Sequence, residues 1–242
     1  MRTATVAMFA IATACAAGSA ARAEVIVLRS GQVGGLPGSA GQADDIVRYL
    51  PSNPPGSPIS ATPFTPTDFA GAAGGPSAVV INPHPAWTPG ISDPAARWIN
   101  PRADLQTQSD GTVGGSGYGL PGSALFAVPF FVTTPGATSG SLTMEFAVDD
   151  HGGDGGFGGG NPAFLYVNGV SMGYFGGNYA SPTIHSQTIP LNTGLNTIYL
   201  YQRDLGVLVS GTIFSITITV PTPGAAALVG MGGLATMRRR RR

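Results

Sequence analysis

Phe214, Ile216, Ile218 and Val220 alternate with Ile213, Ser215, Thr217 and Thr219. Leu142, Met144, Phe146 and Val148 do the same against Thr143, Glu145 and Ala147, and Ile198 and Leu200 against Thr197, Tyr199 and Tyr201. A period of two with β-branched and aromatic residues belongs to half-buried strands. Shorter runs of the same kind cover Val25–Leu28, Ala78–Ile81, Ala124–Val132, Ala163–Val167 and Ile184–Ile189. The turns between them draw on 37 glycines and 21 prolines, a load that excludes coiled coils and helical repeats. Short helical turns are expected only at Asp44–Leu50 and Thr67–Ala72. The expected fold is all-β, an antiparallel β-sandwich or jelly roll. Residues 67–220 form the sandwich, and residues 24–66 supply an N-terminal strand and a Pro-rich connection. Asn168-Gly169 reads as a hairpin turn.

The two ends differ from this middle. Arg2, the apolar Val6–Ala17 and the A-x-A site Ala21-Arg22-Ala23 read as a signal peptide over residues 1–23, cleaved before Glu24. A lipoprotein with Cys15 lipidated is the alternative. Cys15 is the single cysteine, so residues beyond it hold no disulfide, thiol nucleophile or Cys-ligated zinc. At the other end, Pro221-Thr222-Pro223-Gly224 breaks the last strand. An apolar run, Ala225–Met237, and the cations Arg238, Arg239, Arg240, Arg241 and Arg242 follow. As a helix, Gly224 to Met237 spans roughly 21 Å, short of a ~30 Å hydrocarbon core unless arginine stems snorkel. The positive-inside rule keeps that arginine run cytoplasmic and the body outside, the orientation a signal peptide also implies.

This order resembles the PEP-CTERM sorting signal of Gram-negative bacteria. The resemblance covers residues 221–242. Thr222 stands where that family usually has Glu, as in a variant common in planctomycete-like bacteria. It implies an exosortase-like processing enzyme as partner, transient anchoring in the inner membrane through the C-terminal helix, and release or attachment of the body at the cell surface or matrix.

Charge narrows the function. Lysine is absent, and residues 24–220 carry five arginines against all 12 acidic residues, a formal balance of −7. Nucleic acid is therefore excluded as a partner of the body, since phosphate binding needs a basic surface. Gly169-Val170-Ser171-Met172-Gly173 matches a nucleophile elbow, yet no helix follows Ser171 and the hairpin reading wins. Asp149-Asp150-His151-Gly152-Gly153-Asp154 is the densest polar cluster. It reads as a solvated loop tip, with Ca²⁺ bound by Asp149, Asp150 and Asp154 as the functional alternative. His84, His151 and His185 share no metal-ligand spacing. Glu145 and Asp204 are the carboxylates a hydrolase would have to pair. Trp87, Trp98, Tyr118, Tyr174 and Tyr179 could offer flat faces to sugar rings, with Trp98 leaning to the core.

Ala96-Arg97-Trp98-Ile99, the strand 124–132, Ala147-Val148-Asp149-Asp150, Tyr166-Val167-Asn168-Gly169, residues 193–198 and Gly211–Val220 follow in an order that resembles a galactose-binding-like β-sandwich. That resemblance implies a non-catalytic module, with carbohydrate bound by loops at one end. The Gly-rich stretch 152–160 departs from the family's compact turn. The expectation is thus an exported, surface-sorted, non-catalytic protein that binds polysaccharide, with Tyr174, Tyr179 and Trp98 as ligand-binding residues. A purely structural envelope component and a secreted hydrolase are the alternatives. Replacing Arg238–Arg242 with Ser should abolish retention at the inner membrane before processing. Unchanged membrane fractionation of that variant would refute the sorting signal.

Overall fold

A computed structural model describes residues 22–50, 62–103, 123–155, 160–204 and 209–222. Residues 1–21 of the signal segment, with Cys15 and Ala21 among them, and Tyr118, Pro223, Gly224, Ala225–Met237 and Arg238–Arg242 lie outside these residues. Among the described residues no helix is long and apolar enough to cross a membrane.

The chain runs β1 (Glu24–Arg29), β2 (Gln32–Val33), β3 (Leu36–Pro37), β4 (Ala43–Tyr49), α1 (Pro66–Ala73), β5 (Ser77–Val80), β6 (Ile99–Asn100) and β7 (Ala124–Val132). It continues through β8 (Ser139–Asp149), β9 (His151–Gly152), β10 (Leu165–Val167), β11 (Val170–Ser171), β12 (Thr183–Pro190), β13 (Gly194–Arg203) and β14 (Gly211–Val220). One antiparallel sheet takes the order β11-β10-β13-β7-β4-β5-β6-β14-β8-β12, with β1 added on β14 and β9 on β13. It curls so that β12-β8-β14-β1 faces β10-β13-β7-β4. The core between the halves follows from the alternation: Leu142, Met144, Phe146 and Val148 meet Phe214, Ile216 and Ile218 on one side and Phe126, Val128, Ile198 and Leu200 on the other.

Both outer faces are partly covered. On β7, Leu125 and Ala127 point away from the core and pack with Tyr166, Tyr199 and Tyr201 under α1. Helix α1 forms because Thr65 caps it. Thr65 Oγ1 accepts the Asp68 N–H, and Asp68 returns a carboxylate to the Thr65 N–H at 2.7 Å, with Pro66 in the first turn. Phe69 seats the helix, its ring 4.8 Å from Tyr199 and 5.4 Å from Tyr166. On the other half, Ala147 and Ile213 point outward and pack with Ile81, Trp87, Ala96 and Trp98 from the segment 81–98.

The strands expected from alternation are all present. Asp44–Leu50 is not a helical turn; β4 fills it. Two neighbours, β5 and β7, offer this backbone ladder partners. The Asp44 carboxylate also takes the N–H groups of Gly31, Ile46 and Val47, competing with a helical path. The N-terminal strand is not set apart from the sandwich by the Pro-rich stretch, because β1 pairs with β14 from Glu24↔Val220 to Arg29↔Ser215. Glu24 closes that corner by accepting the N–H and hydroxyl of both Thr133 and Thr134.

The hairpin turn stands between β10 and β11. Val167 pairs Val170, Asn168 has φ 51° and Gly169 φ 80°. The Asn168 amide donates to Asn196 Oδ1 at 2.9 Å and its oxygen accepts the Thr197 N–H at 2.9 Å, tying the turn to β13. Ser171 lies exposed on β11, with its hydroxyl accepting the Gly173 N–H, so it sits on no strand-to-helix elbow. Replacing Asn168-Gly169 by Ala-Ala should cost about 1–2 kcal/mol for each residue forced to positive φ. The added Cβ at 169 would also stand 3.2 Å from the Phe69 ring. A thermal melt should fall by several degrees, and an unaltered one would count against the turn.

Candidate functional site

The segment 81–98 crosses the outer face of β8 and β14 and is pinned at both edges. Asp93 Oδ2 accepts Arg29 Nε at 2.6 Å and Ser215 Oγ at 2.7 Å, and its Oδ1 accepts the Ala95 N–H at 3.0 Å. Ser92 donates its N–H to Glu145 at 2.9 Å and bonds it through its hydroxyl as well. At the end of the segment the Arg97 N–H donates to Ser30 O at 2.9 Å, and Ser30 Oγ donates back to Arg97 O at 2.7 Å. Gly31 is required beside it: φ is +73°, and a Cβ there would fall 2.3 Å from Arg97 Cβ. Inside, Trp98 Nε1 donates to Thr88 O at 3.0 Å, and the Trp87 and Trp98 rings pack 4.5 Å apart.

Pinned this way, the segment stands off the end of β5 and the turn at Gly38–Ala40, and leaves an open cavity of about 730 Å³. Ser39, Asn82, Ile91, Asp93, Arg97 and Trp98 are among its lining residues. That volume lies within the range of small-ligand sites. Trp98 is 1% exposed, so the tryptophan expected to lean to the core is in it and leaves a ligand almost no surface. Burial alone would raise the Asp93 pKa; the hydrogen bonds from Ser215, Arg29 and Ala95 and the Arg29 charge outweigh it and hold the carboxyl below the usual range.

The other residues singled out from the sequence do not join this cavity. Tyr174 is half-buried, with its ring stacked on His185 at 3.7 Å and edge-on to Phe146. Its face is thus occupied by protein. Tyr179 is 37% exposed and sits beside the segment, its carbonyl accepting the Thr88 N–H at 2.7 Å. Glu145 is engaged by Ser92, and His84, His151 and His185 each lie against a different aromatic ring.

The Asp149–Asp154 stretch is not a solvated loop tip. Backbone pairing draws it in: β9 is laddered to β13, and Gly152 bridges Gly176. Asp154 is 1% exposed, ion-paired to Arg203 at 3.2 Å, and accepts the Asn161 N–H at 2.8 Å and the Tyr201 hydroxyl. Asp149 is 4% exposed. Burial, then the charge and hydrogen bond of Asp150 and the charge of Asp204, push its pKa up to about 8, against one lowering hydrogen bond from Trp87. Among the described residues no three His, Cys, Asp or Glu side chains form a group able to hold a metal ion. Asp149, Asp150 and Asp154 are accordingly not brought together as a Ca²⁺ cage, because Arg203 has taken Asp154.

No family model matches this chain, and no curated protein matches it. Among solved structures, a family 35 carbohydrate-binding module from Clostridium thermocellum matches with 18% identity over 59% of this chain and 87% of that one, at a TM-score of 0.31. Another such module, from Cellvibrio japonicus, matches with 13% identity over 73% of this chain and 99% of that one, at a TM-score of 0.31. A Podospora anserina GH26-CBM35 β-(1,4)-mannanase matches with 20% identity over 46% of this chain, at a TM-score of 0.29. The match spans only 25% of that mannanase chain.

The raised pKa of Asp149 fixes a pH dependence. Between the ordinary carboxylate value of 3.8 and about 8, the folded chain holds a proton there that the unfolded chain has lost. Stability from this group is therefore greatest below that window and falls as pH rises through it. Denaturant titrations from pH 4 to 9 should show the decline, and Asp149→Asn should flatten it. An unchanged slope in the variant would assign the effect elsewhere.

Proposed function

We propose that this chain is an exported, surface-sorted, non-catalytic protein whose sandwich binds polysaccharide in the cavity under the 81–98 segment. The observation that carries the reading is the cavity itself: about 730 Å³, open to solvent, with the apolar Ile91 beside polar Ser39, Asn82 and Arg97. Sugars present apolar C–H faces and hydroxyl edges together, and a mixed lining of this kind serves both. The non-catalytic part is supported by Asp93. Glycoside hydrolysis uses two carboxyl groups, one of them held protonated. Asp93 is the one carboxylate among the described lining residues, and Arg29 and Ser215 hold it ionised and occupied.

Export and sorting rest on the sequence. The proposed partners are an exosortase-like enzyme acting near Pro221–Gly224 and, before processing, the inner membrane through Ala225–Met237. The fold is compatible with both events, because Glu24 and Val220 are paired neighbours and both flanking segments leave from one corner. The final location is the cell surface or extracellular matrix.

A glycan array probed with the full chain, with calcium and again with chelator, tests the binding reading. A saccharide signal indifferent to chelation is expected, since the cavity lining offers one engaged carboxylate. Asn82→Ala, an exposed change, should weaken that signal severalfold with an unaltered melting temperature. Silence across the array under both conditions would overturn the binding reading in favour of a purely structural role.

A further inference from the structure

We propose that, while the chain is anchored, the end of the sandwich holding Glu24 and Val220 rests on the lipid bilayer, with Phe131 and Leu195 set into the headgroup layer. This rests on the reading of Ala225–Met237 as a membrane segment, and names a second surface that meets the same membrane.

Phe131 and Leu195 are directly opposite each other on β7 and β13, and both are more than 60% exposed. They continue the outward row of Leu125, Ala127, Tyr199 and Tyr201, which packs under α1 with Phe69. The helix stops short of them. The pair stands one residue from the strand ends, because Val132 pairs with Gly194. The next residues, Thr133 and Thr134, hydrogen-bond Glu24, which pairs with Val220. The apolar pair therefore sits at the end from which the C-terminal segment leaves. Val25, also exposed, marks the opposite rim of that end through its pairing with Thr219.

The reach of the chain brings this end to the bilayer. Three Cα steps separate Thr222 from Ala225, at most roughly 11 Å when fully extended. The polar layer of one leaflet is about 5–8 Å thick. With Ala225 at the edge of the hydrocarbon, the end is held against the headgroups, at the depth where interfacial apolar side chains settle.

Charge agrees with that placement. Of the residues 24–25, 131–141, 167–170, 188–197 and 219–222 that form this end, Glu24 alone is charged, and its carboxylate accepts the N–H and hydroxyl of Thr133 and Thr134. An acidic body thus turns a nearly acid-free end to an anionic leaflet, whose repulsion acts only over about 8 Å. A second copy is a poorer occupant. Two side chains supply at most a few hundred Å², against about 800 Å² per partner in a stable interface. A tethered body needs no more, since the anchor supplies the affinity.

The test uses the full chain with Cys15→Ser, exported from cells without a processing enzyme so that residues 221–242 are kept. Phe131→Cys carries an environment-sensitive nitrobenzoxadiazole dye. Ile184→Cys carries it as the control, exposed and roughly 20 Å from Pro190 along β12. Each protein is reconstituted into phosphatidylethanolamine–phosphatidylglycerol vesicles, with and without a lipid-borne spin-label quencher. The dye at 131 should shift to the blue and be quenched, and the dye at 184 should keep its aqueous emission. Leu195→Asp added to Phe131→Cys should reduce the shift while flotation with the vesicles is unchanged. Melting curves establish that the variants are folded. A chain that floats with its dye at 131 still aqueous would overturn the resting surface and leave the anchor standing. A chain that does not float would overturn both. A blue shift at 131 that grows with protein density and escapes the lipid quencher would overturn the bilayer as occupant in favour of a second copy.

Discussion

The pairing of β14 on both of its sides is the constraint from which the rest of the structure follows. It is laddered to β8 from Gly211↔Asp149 to Thr219↔Ser141, and to β1 from Ser215 to Val220. A slip of one residue would turn Phe214, Ile216 and Ile218 from the core to the outer face and bring Ser215 and Thr217 inside. The register also decides what lies outside. Ile213 receives the tryptophan-bearing segment, and Ser215 supplies one of the hydrogen bonds that hold Asp93. The cavity is therefore an outcome of strand register: its far wall is pinned to residues whose outward orientation β14 sets.

Burial governs the electrostatics of the same face. Asp93 and Asp149 go opposite ways. Asp93 is ringed by donors and stays ionised. Asp149 is ringed by other carboxyl groups and keeps its proton toward pH 8. Depth and partners both separate them: Asp149 is the more deeply buried, and neighbouring like charges add to its desolvation, whereas hydrogen bonds to the charged form offset it at Asp93. Arg97 is the third case, a cation whose local bonds go to carbonyl oxygens and leave its charge unmatched.

How much of this could be read beforehand follows from the range of the forces involved. Strands β7, β8, β12, β13 and β14 were legible because alternation is local, and the Asn168-Gly169 turn because its backbone demand is local as well. Strand β4 was not. Asp44–Leu50 has apolar residues at spacings a helix also uses, and only its remote partners β5 and β7 choose between the two. The glycine-dense 149–154 stretch looked like a surface loop from composition. Its burial comes from Arg203 and the β9–β13 ladder, both about fifty residues away. The cavity was illegible as a site, because its walls come from residues 38–40, 80–98 and 213. Ala96-Arg97-Trp98-Ile99 stood out only within the family likeness, and nothing local marked Asp93 or Asn82.

The side-by-side placement of Glu24 and Val220 has a mechanical meaning. A chain tethered beyond Thr222 and gripped at the cavity is pulled between two points on one strand, because Ile213 lines the cavity and Val220 adjoins the tether. These residues lie roughly 23 Å apart along β14. Tension then runs parallel to the strand, and the ladder bonds to β8 and β1 are loaded together in shear instead of being opened one after another. A protein fastened at that corner would resist being dragged from its support by the combined strength of two ladders.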